Sequence, residues 1–223
     1  YFAKYYSQFT ENEWKKYGGV HYDGDDIFIS HDDGTLEYMT TDEVELIKWG
    51  WHLMTDKEMS EVLKDMTIII DTREKKNQHI LDYLKENNIK YIVEKLDSGD
   101  YSFYLPNYPQ LNIDKCSVIE KKNSLDEISQ NFTKGRDRFK REFERIPTGT
   151  KTHLLIEKAT WKKLLNGSYR SKLSPKSFMA SLLTFTNNYD IKVWFAGVDE
   201  SPTLIYNILY YDLFSKLKEM RGF

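Results

Sequence analysis

The chain has 223 residues, 40% of them hydrophobic and 30% charged, with a net charge of −3, an ordinary globular profile with room for one large domain or a medium domain plus a small one. No apolar run is long enough to cross a bilayer, no signal-peptide pattern opens the N-terminus, and the single cysteine, Cys116, excludes an internal disulfide, which together lead to the expectation of a cytoplasmic protein. The charge is uneven: residues 1–65 hold 15 acids and 6 bases, residues 66–223 hold 20 acids and 26 bases, so a basic C-terminal part suits a polyanionic partner.

Residues 1–17 place Phe2, Tyr5, Tyr6 and Phe9 at helical spacing. Ile27 to Ile29, the turn Asp32-Asp33-Gly34 and Leu36 to Met39 predict a β-hairpin over 27–39. Capping boxes, Thr40 with Glu43 and Thr55 with Glu58, open two helices. A boundary falls near residue 65, giving a small acidic α+β N-terminal domain (1–65) and a second domain (66–223). In the second domain the pattern alternates. Strands are expected at 67–70, 89–96, 100–105, 115–122, 152–157 and 191–196. Helices are expected at 76–87, from the Ser124–Glu127 capping box to about Ile146, and at 160–166, 175–188 and 202–219. This alternation predicts an α/β fold with a mixed sheet flanked by helices.

Residues 99–122 carry the chemistry. Gly99-Asp100 starts one strand and Glu120-Lys121-Lys122 ends the next, with Pro106, Asn107, Pro109 and Asn112 between them. A hairpin symmetric about Gln110 sets position 100 opposite position 120, roughly 4.5–5.5 Å away at Cα. Alternation puts Lys122 on the same face as Glu120 and turns Lys121 to the other. Two carboxylates so close repel each other unless one is protonated or a cation neutralises them. Oxygen ligands select Mg²⁺ or Mn²⁺ over Zn²⁺. A metal ion on Asp100 and Glu120, with Lys122 beside it, makes a set suited to phosphodiester hydrolysis. On spacing alone, surface charges on a hairpin explain the pattern equally well. Asp71 and Glu74 follow the apolar run Ile68-Ile69-Ile70 and point to the same place, although solvated turn residues would look alike. Asp126, in the first turn after Ser124, reads most simply as a helix-dipole partner.

Ile-Ile-Asp-Thr-Arg-Glu (69–74), Gly-Asp-Tyr (99–101) and Ile-Glu-Lys-Lys (119–122) with Asp126 four positions after Lys122 resemble the motifs of the XPF-type structure-specific endonucleases. The resemblance covers roughly residues 66–215. It implies a restriction-endonuclease-like fold and Mg²⁺- or Mn²⁺-dependent cleavage of branched, flapped or otherwise non-duplex DNA, in repair or recombination. It makes Asp71, Glu74, Asp100, Glu120 and Lys122 the catalytic set, with Asp71 joining Asp100 and Glu120 as metal ligands. Lys121 stands where the family usually has Arg, keeping the charge but losing the fork. The helix-hairpin-helix modules that usually follow in the family have no visible counterpart here. A catalytically inactive DNA-binding or scaffold module of the same fold is the alternative, against which the complete acid-plus-lysine set argues.

DNA contacts are expected from Arg73, Lys121, Arg136, Arg138 and Arg141. Arg136 follows Gly135 as in the family, and Arg138, Arg141 and Arg145 recur on one helix face. For that face a solvated surface diluted by Glu142 and Glu144 is as good a reading. Phe139, Phe143 and Ile146 form the inward stripe. Tyr169-Arg170-Ser171-Lys172 reads as an ordinary loop in preference to a phosphate-binding one. The five histidines show no metal spacing. A homodimer through the nuclease-like domain and a protein partner for residues 1–65 are further expectations. For residues 1–65 a solubilising accessory role is the plainer reading.

Overall fold

The computed structural model describes residues 19–23, 26–30, 36–39 and 55–220. The chain divides into two compact units, residues 1–60 with 215–223, and residues 61–214. The first contains a three-stranded antiparallel sheet of β1 (Gly19–Asp23), β2 (Asp26–Ser30) and β3 (Leu36–Met39), in that order. The β2–β3 hairpin sets Ile27 opposite Met39, as the Asp-Asp-Gly turn predicts. Strand β1 was not anticipated, because glycines and aspartates bound a run of only five residues. The expected helices over 1–17 and after Thr40 lie outside the described residues. Helix α1 (Asp56–Asp65) begins at the expected capping box: Thr55 N–H donates to Glu58 Oε2 at 2.8 Å, and Glu58 N–H to Thr55 Oγ1 at 3.2 Å.

The second unit is built on a six-stranded mixed sheet. Its strands are β4 (Thr67–Ile70), β5 (Tyr91–Val93), β6 (Tyr101–Tyr104), β7 (Ser117–Lys122), β8 (Lys151–Glu157) and β9 (Ile191–Ala196), in the order β5-β4-β6-β7-β8-β9. Strands β4 and β5 are parallel, as are β7, β8 and β9, while β6 runs antiparallel to both β4 and β7. The remaining helices are α2 (Gln78–Glu86), α3 (Leu125–Asn131), α4 (Arg136–Glu144), α5 (Trp161–Leu165), α6 (Pro175–Asn188) and α7 (Ser201–Met220). This is the helix-flanked mixed sheet expected from the alternating pattern and from the resemblance. Every residue of β4 is buried, which is why that strand reads as continuous Ile instead of alternating.

One part of the core is aromatic. Phe139 and Phe143 of α4 meet Phe178 and Leu182 of α6 and Leu154 and Ile156 of β8. Phe185 stacks on Phe139 at 4.7 Å and takes the edge of Phe143 at 5.0 Å. Each fully buried Phe contributes about 1.5–3 kcal/mol, so this packing fixes α4 firmly beside the ends of β7 and β8.

The helical stretch expected from 124 to about 146 is broken in two. At the end of α3 the Thr133 hydroxyl donates to the carbonyls of Ser129 (3.0 Å) and Gln130 (3.2 Å), and the Gly135 N–H also bonds Gln130 O, at 3.0 Å. A hydroxyl that bonds back to the preceding turn competes with the helix ladder, and the chain restarts at Gly135. The capping box of α3 is half made: Glu127 N–H donates to Ser124 Oγ at 3.3 Å, while Glu127 Oε2 accepts from Asn123 instead.

Helix α7 is tied to the sheet by a buried polar chain. Asp212 Oδ2 accepts from Ser117 Oγ and from His153 Nε2, both at 2.6 Å, and Trp194 Nε1 donates to His153 Nδ1 at 3.0 Å. No described helix is long and apolar enough to cross a membrane.

Candidate active site

The pairing of β6 with β7 decides the site. Tyr101 lies opposite Ile119, the register of a hairpin symmetric about Gln110, and Asp100 N–H donates to Ile119 O at 2.8 Å. Strand β4 joins in step: Ile70 lies opposite Tyr101, and Asp71 N–H donates to Asp100 O at 2.8 Å. Alternation then places Asp71, Asp100, Glu120 and Lys122 on one face, and Tyr101 and Lys121 on the other.

Asp100, just before β6, and Glu120 of β7 lie close enough for the charge of one to act on the other. Asp100 Oδ2 accepts from Lys121 N–H at 2.7 Å, and Oδ1 takes no hydrogen bond from a described residue. Burial pushes the Asp100 carboxyl well above the usual carboxylate range, and the charge of Glu120 pushes it further. Lys122 Nζ donates to Glu120 Oε1 at 2.5 Å and lies 5.3 Å from the centre of the Phe139 ring. Burial alone would lower the Lys122 ammonium, but Glu120 and Asp100 outweigh it and hold the lysine firmly charged. The cation therefore sits between a carboxylate and an aromatic face, both of which favour its charge.

Two of the expected site residues, Asp71 and Lys121, are engaged by neighbouring groups in this structure. Asp71 was expected as a metal ligand, but its buried carboxylate is fully used. Oδ1 accepts from the backbone N–H and Nε of Arg73, each at 2.7 Å; Oδ2 accepts from Arg73 Nη2 at 2.9 Å and from Leu96 N–H at 2.7 Å. All four lone-pair positions accept hydrogen bonds in this structure. Burial raises the Asp71 carboxyl, the bonds from Arg73 and Leu96 outweigh it, and the group stays ionised below its ordinary range. Lys121 was expected to touch DNA, but its side chain is fully buried behind the sheet. It lies 3.7 Å from Glu74 and 3.6 Å from Glu157, and donates to Asn123 Oδ1 at 3.1 Å and to Lys76 O at 3.3 Å. A lysine enclosed by two carboxylates has no route to a phosphate.

Glu74 is held away from the pair's face, accepting from Lys76 N–H at 2.9 Å and facing Lys121, although its charge still reaches Asp100. Glu157 completes this rear network, accepting from His79 Nε2 at 2.8 Å and from Ser201 Oγ at 2.6 Å. Arg73 does face outward. With Nε and Nη2 committed to Asp71 and to Leu96 O, its Nη1 donors meet no described partner, and both Asp100 and Glu120 act on its charge. Arg136, Arg138 and Arg141 are exposed on α4; among them Arg138 pairs with Glu142 at 3.7 Å. Glu142 links that helix to the site, since burial and the charge of Glu120 raise its carboxyl. Asp126 Oδ1 accepts the backbone N–H of Arg170 at 2.6 Å, so it ties a loop in addition to starting a helix. The Asp71–Arg73–Leu96 clasp and the Asp126 tether were missed because their partners lie far away in sequence.

Among the described residues no three His, Cys, Asp or Glu side chains are grouped to hold a metal ion. Asp100 Oδ1 and the second oxygen of Glu120 are nonetheless two hard donors without described partners. They fit Mg²⁺ or Mn²⁺, which proteins commonly hold through one or two carboxylates completed by water and phosphate oxygens.

The fold is a helix-flanked mixed α/β sheet whose central antiparallel strands, β6 and β7, bring Asp100, Glu120 and Lys122 to one face. The family model described as "ERCC4 domain" matches residues 70–208. That is more than half of the chain, and the chain belongs to this family of DNA endonucleases. No curated protein matches it. Among solved structures, XPF from Aeropyrum pernix is similar at 16% identity with a TM-score of 0.49, covering 66% of this chain and 61% of that one. The same protein in complex with DNA is similar at 17% identity and a TM-score of 0.49, covering 66% and 64%. The chain thus spans about three fifths of the length of those structures.

Proposed function

We propose that residues 66–214 hydrolyse DNA phosphodiesters with the help of Mg²⁺ or Mn²⁺, at forks, flaps or other non-duplex features. The observation that carries this reading is the register that brings Asp100, Glu120 and Lys122 together with two carboxylate oxygens that meet no partner among the described residues. A divalent ion there supplies Lewis acidity and a more acidic water. Asp100 and Glu120 are the groups that would hold it, and its charge would favour the ionised form of Asp100. The Lys122 ammonium would orient the attacking water or stabilise charge on the phosphate oxygens. Arg73, braced by Asp71, would turn its Nη1 donors to the scissile strand, since a guanidinium fork suits phosphate geometry. Lys121, Glu74 and Glu157 hold the strand end from behind. Cleavage is expected to leave 5′-phosphate and 3′-hydroxyl ends, as in the family.

Incubating the protein with labelled fork, flap and plain duplex DNA, with Mg²⁺, Mn²⁺ or EDTA, tests the proposal. Metal-dependent cutting that favours the branched substrates is expected. Binding without cutting in every metal would sink the catalytic reading in favour of an inactive DNA-binding module.

A further inference from the structure

Beside α4 lies an open groove of about 1130 Å³. One wall is the turn between α3 and α4, with Lys134 and Arg138; the other is the 170–173 loop, with Arg170 and Lys172; Asp126 lies between. Lys134, Arg170 and Lys172 are exposed and make no ion pair with any described residue. Leu173 is the only apolar side chain in the lining, which carries four cationic side chains, Lys134, Arg138, Arg170 and Lys172, against the single carboxylate of Asp126. No aromatic side chain lines it, so bases find no stacking platform and any contact falls on the sugar–phosphate backbone.

The loop is held in place before any ligand arrives. Tyr169 packs edge-on against Phe178, with ring centres 5.2 Å apart, and donates its hydroxyl hydrogen to Leu173 O at 2.8 Å. Asp126 Oδ1 accepts Arg170 N–H at 2.6 Å. The groove shares helix α4 with the acid site: Arg138 lines the groove, and the ring of the next residue, Phe139, lies 5.3 Å from Lys122 Nζ.

We infer that this groove is a second nucleic-acid contact, in which the 169–173 loop and the α3–α4 turn grip the phosphate backbone of a DNA strand on its way from the acid cluster. The inference rests on the proposed function for the identity of the ligand. Asp126 acts as a positioning residue. It contributes an unfavourable charge to an anion site, yet it holds the loop that carries two cations.

Binding of a labelled forked DNA is to be measured by fluorescence anisotropy in EDTA over a salt series. Arg170→Ala/Lys172→Ala keeps the backbone tether to Asp126. It should raise Kd about tenfold at low salt and flatten the slope of log K against log salt by about 1.4–1.8, since each of the two phosphate contacts contributes about 0.7–0.9. Its thermal midpoint should be unchanged. Lys85→Ala/Lys90→Ala removes the same charge near the β5 edge and should leave Kd and slope near wild type. Asp126→Ala should weaken binding despite losing a negative charge. A loop double variant with wild-type Kd and slope, an equal loss in the Lys85/Lys90 variant, or tighter binding by Asp126→Ala would each overturn the inference. A wild type that binds but never cuts sinks only the catalytic reading, whereas one that cuts while the loop variant binds normally sinks only the groove.

Discussion

Asp100 is placed where its charge is useful and costly together. Burial and Glu120 raise its proton affinity in the folded state, so the metal-free protein is destabilised when that group ionises. Asp100→Asn keeps an acceptor for Lys121 N–H and removes the charge. It should abolish metal-dependent cutting while leaving DNA binding near wild type, and in EDTA at neutral pH it should raise Tm. A protein of this length gains about 2–4 °C for each kcal/mol released. Retained cutting, or a lowered Tm, would contradict the assignment. Arg73→Lys should cut poorly with little loss of stability, because a lysine cannot brace on Asp71 and Leu96 O while also presenting free donors; cleavage assays with thermal melts separate the two effects. At this scale, strand alternation made the grouping of Asp100, Glu120 and Lys122 legible from sequence. It also turned Lys121 away, so a DNA contact by that residue already conflicted with the geometry. The saturation of Asp71 was illegible, because Leu96 is 25 positions downstream and nothing in the sequence marks its N–H as a donor.

Among the elements, the clearest prediction concerns α7. His153 Nδ1 accepts from Trp194, so the ring proton sits on Nε2 and is donated to Asp212. Asp212→Ala leaves that N–H and the Ser117 hydroxyl without an acceptor in the core. A loss of about 3 kcal/mol is expected by chemical denaturation. Burial raises the Asp212 carboxyl, but hydrogen bonds from His153 and Ser117 outweigh it and hold it low. Its contribution is therefore full above the ordinary aspartate range and lost as pH falls through the depressed folded value. Most elements were legible because apolar periodicity and caps agree, as in β4, β9 and α6. The break between α3 and α4 was not, because Phe139, Phe143 and Ile146 keep a helical period across it and only the Thr133 hydroxyl closes the first helix. The Arg170 loop read as ordinary because its anchors, Asp126 and Phe178, lie in other elements.

For the whole molecule, the two aspartates pull stability in opposite directions with pH. In EDTA, Asp212 favours folding once ionised, whereas ionising Asp100 at higher pH opposes it. The joint contribution of these two groups to stability should therefore peak near the ordinary aspartate range and fall as Asp100 ionises. Mg²⁺ or Mn²⁺ should raise Tm most above that peak, by RT ln(1 + [L]/Kd), and Asp100→Asn should erase the increment; calorimetry over a pH series reads both. The basic excess of residues 66–223 was visible in composition. Which surface it serves was not, because Lys134 and Arg170 are brought together only by folding.

The bend joining β6 and β7 contributes none of the three charged groups. Its length can change between relatives, or be altered by an engineer to carry a tag or a graft, without moving the chemistry, provided Tyr101 still faces Ile119. A misalignment of one step would swap Lys121 for its neighbours and extinguish the centre completely. The proposed catalytic centre is thus protected against gradual drift but exposed to a single indexing error.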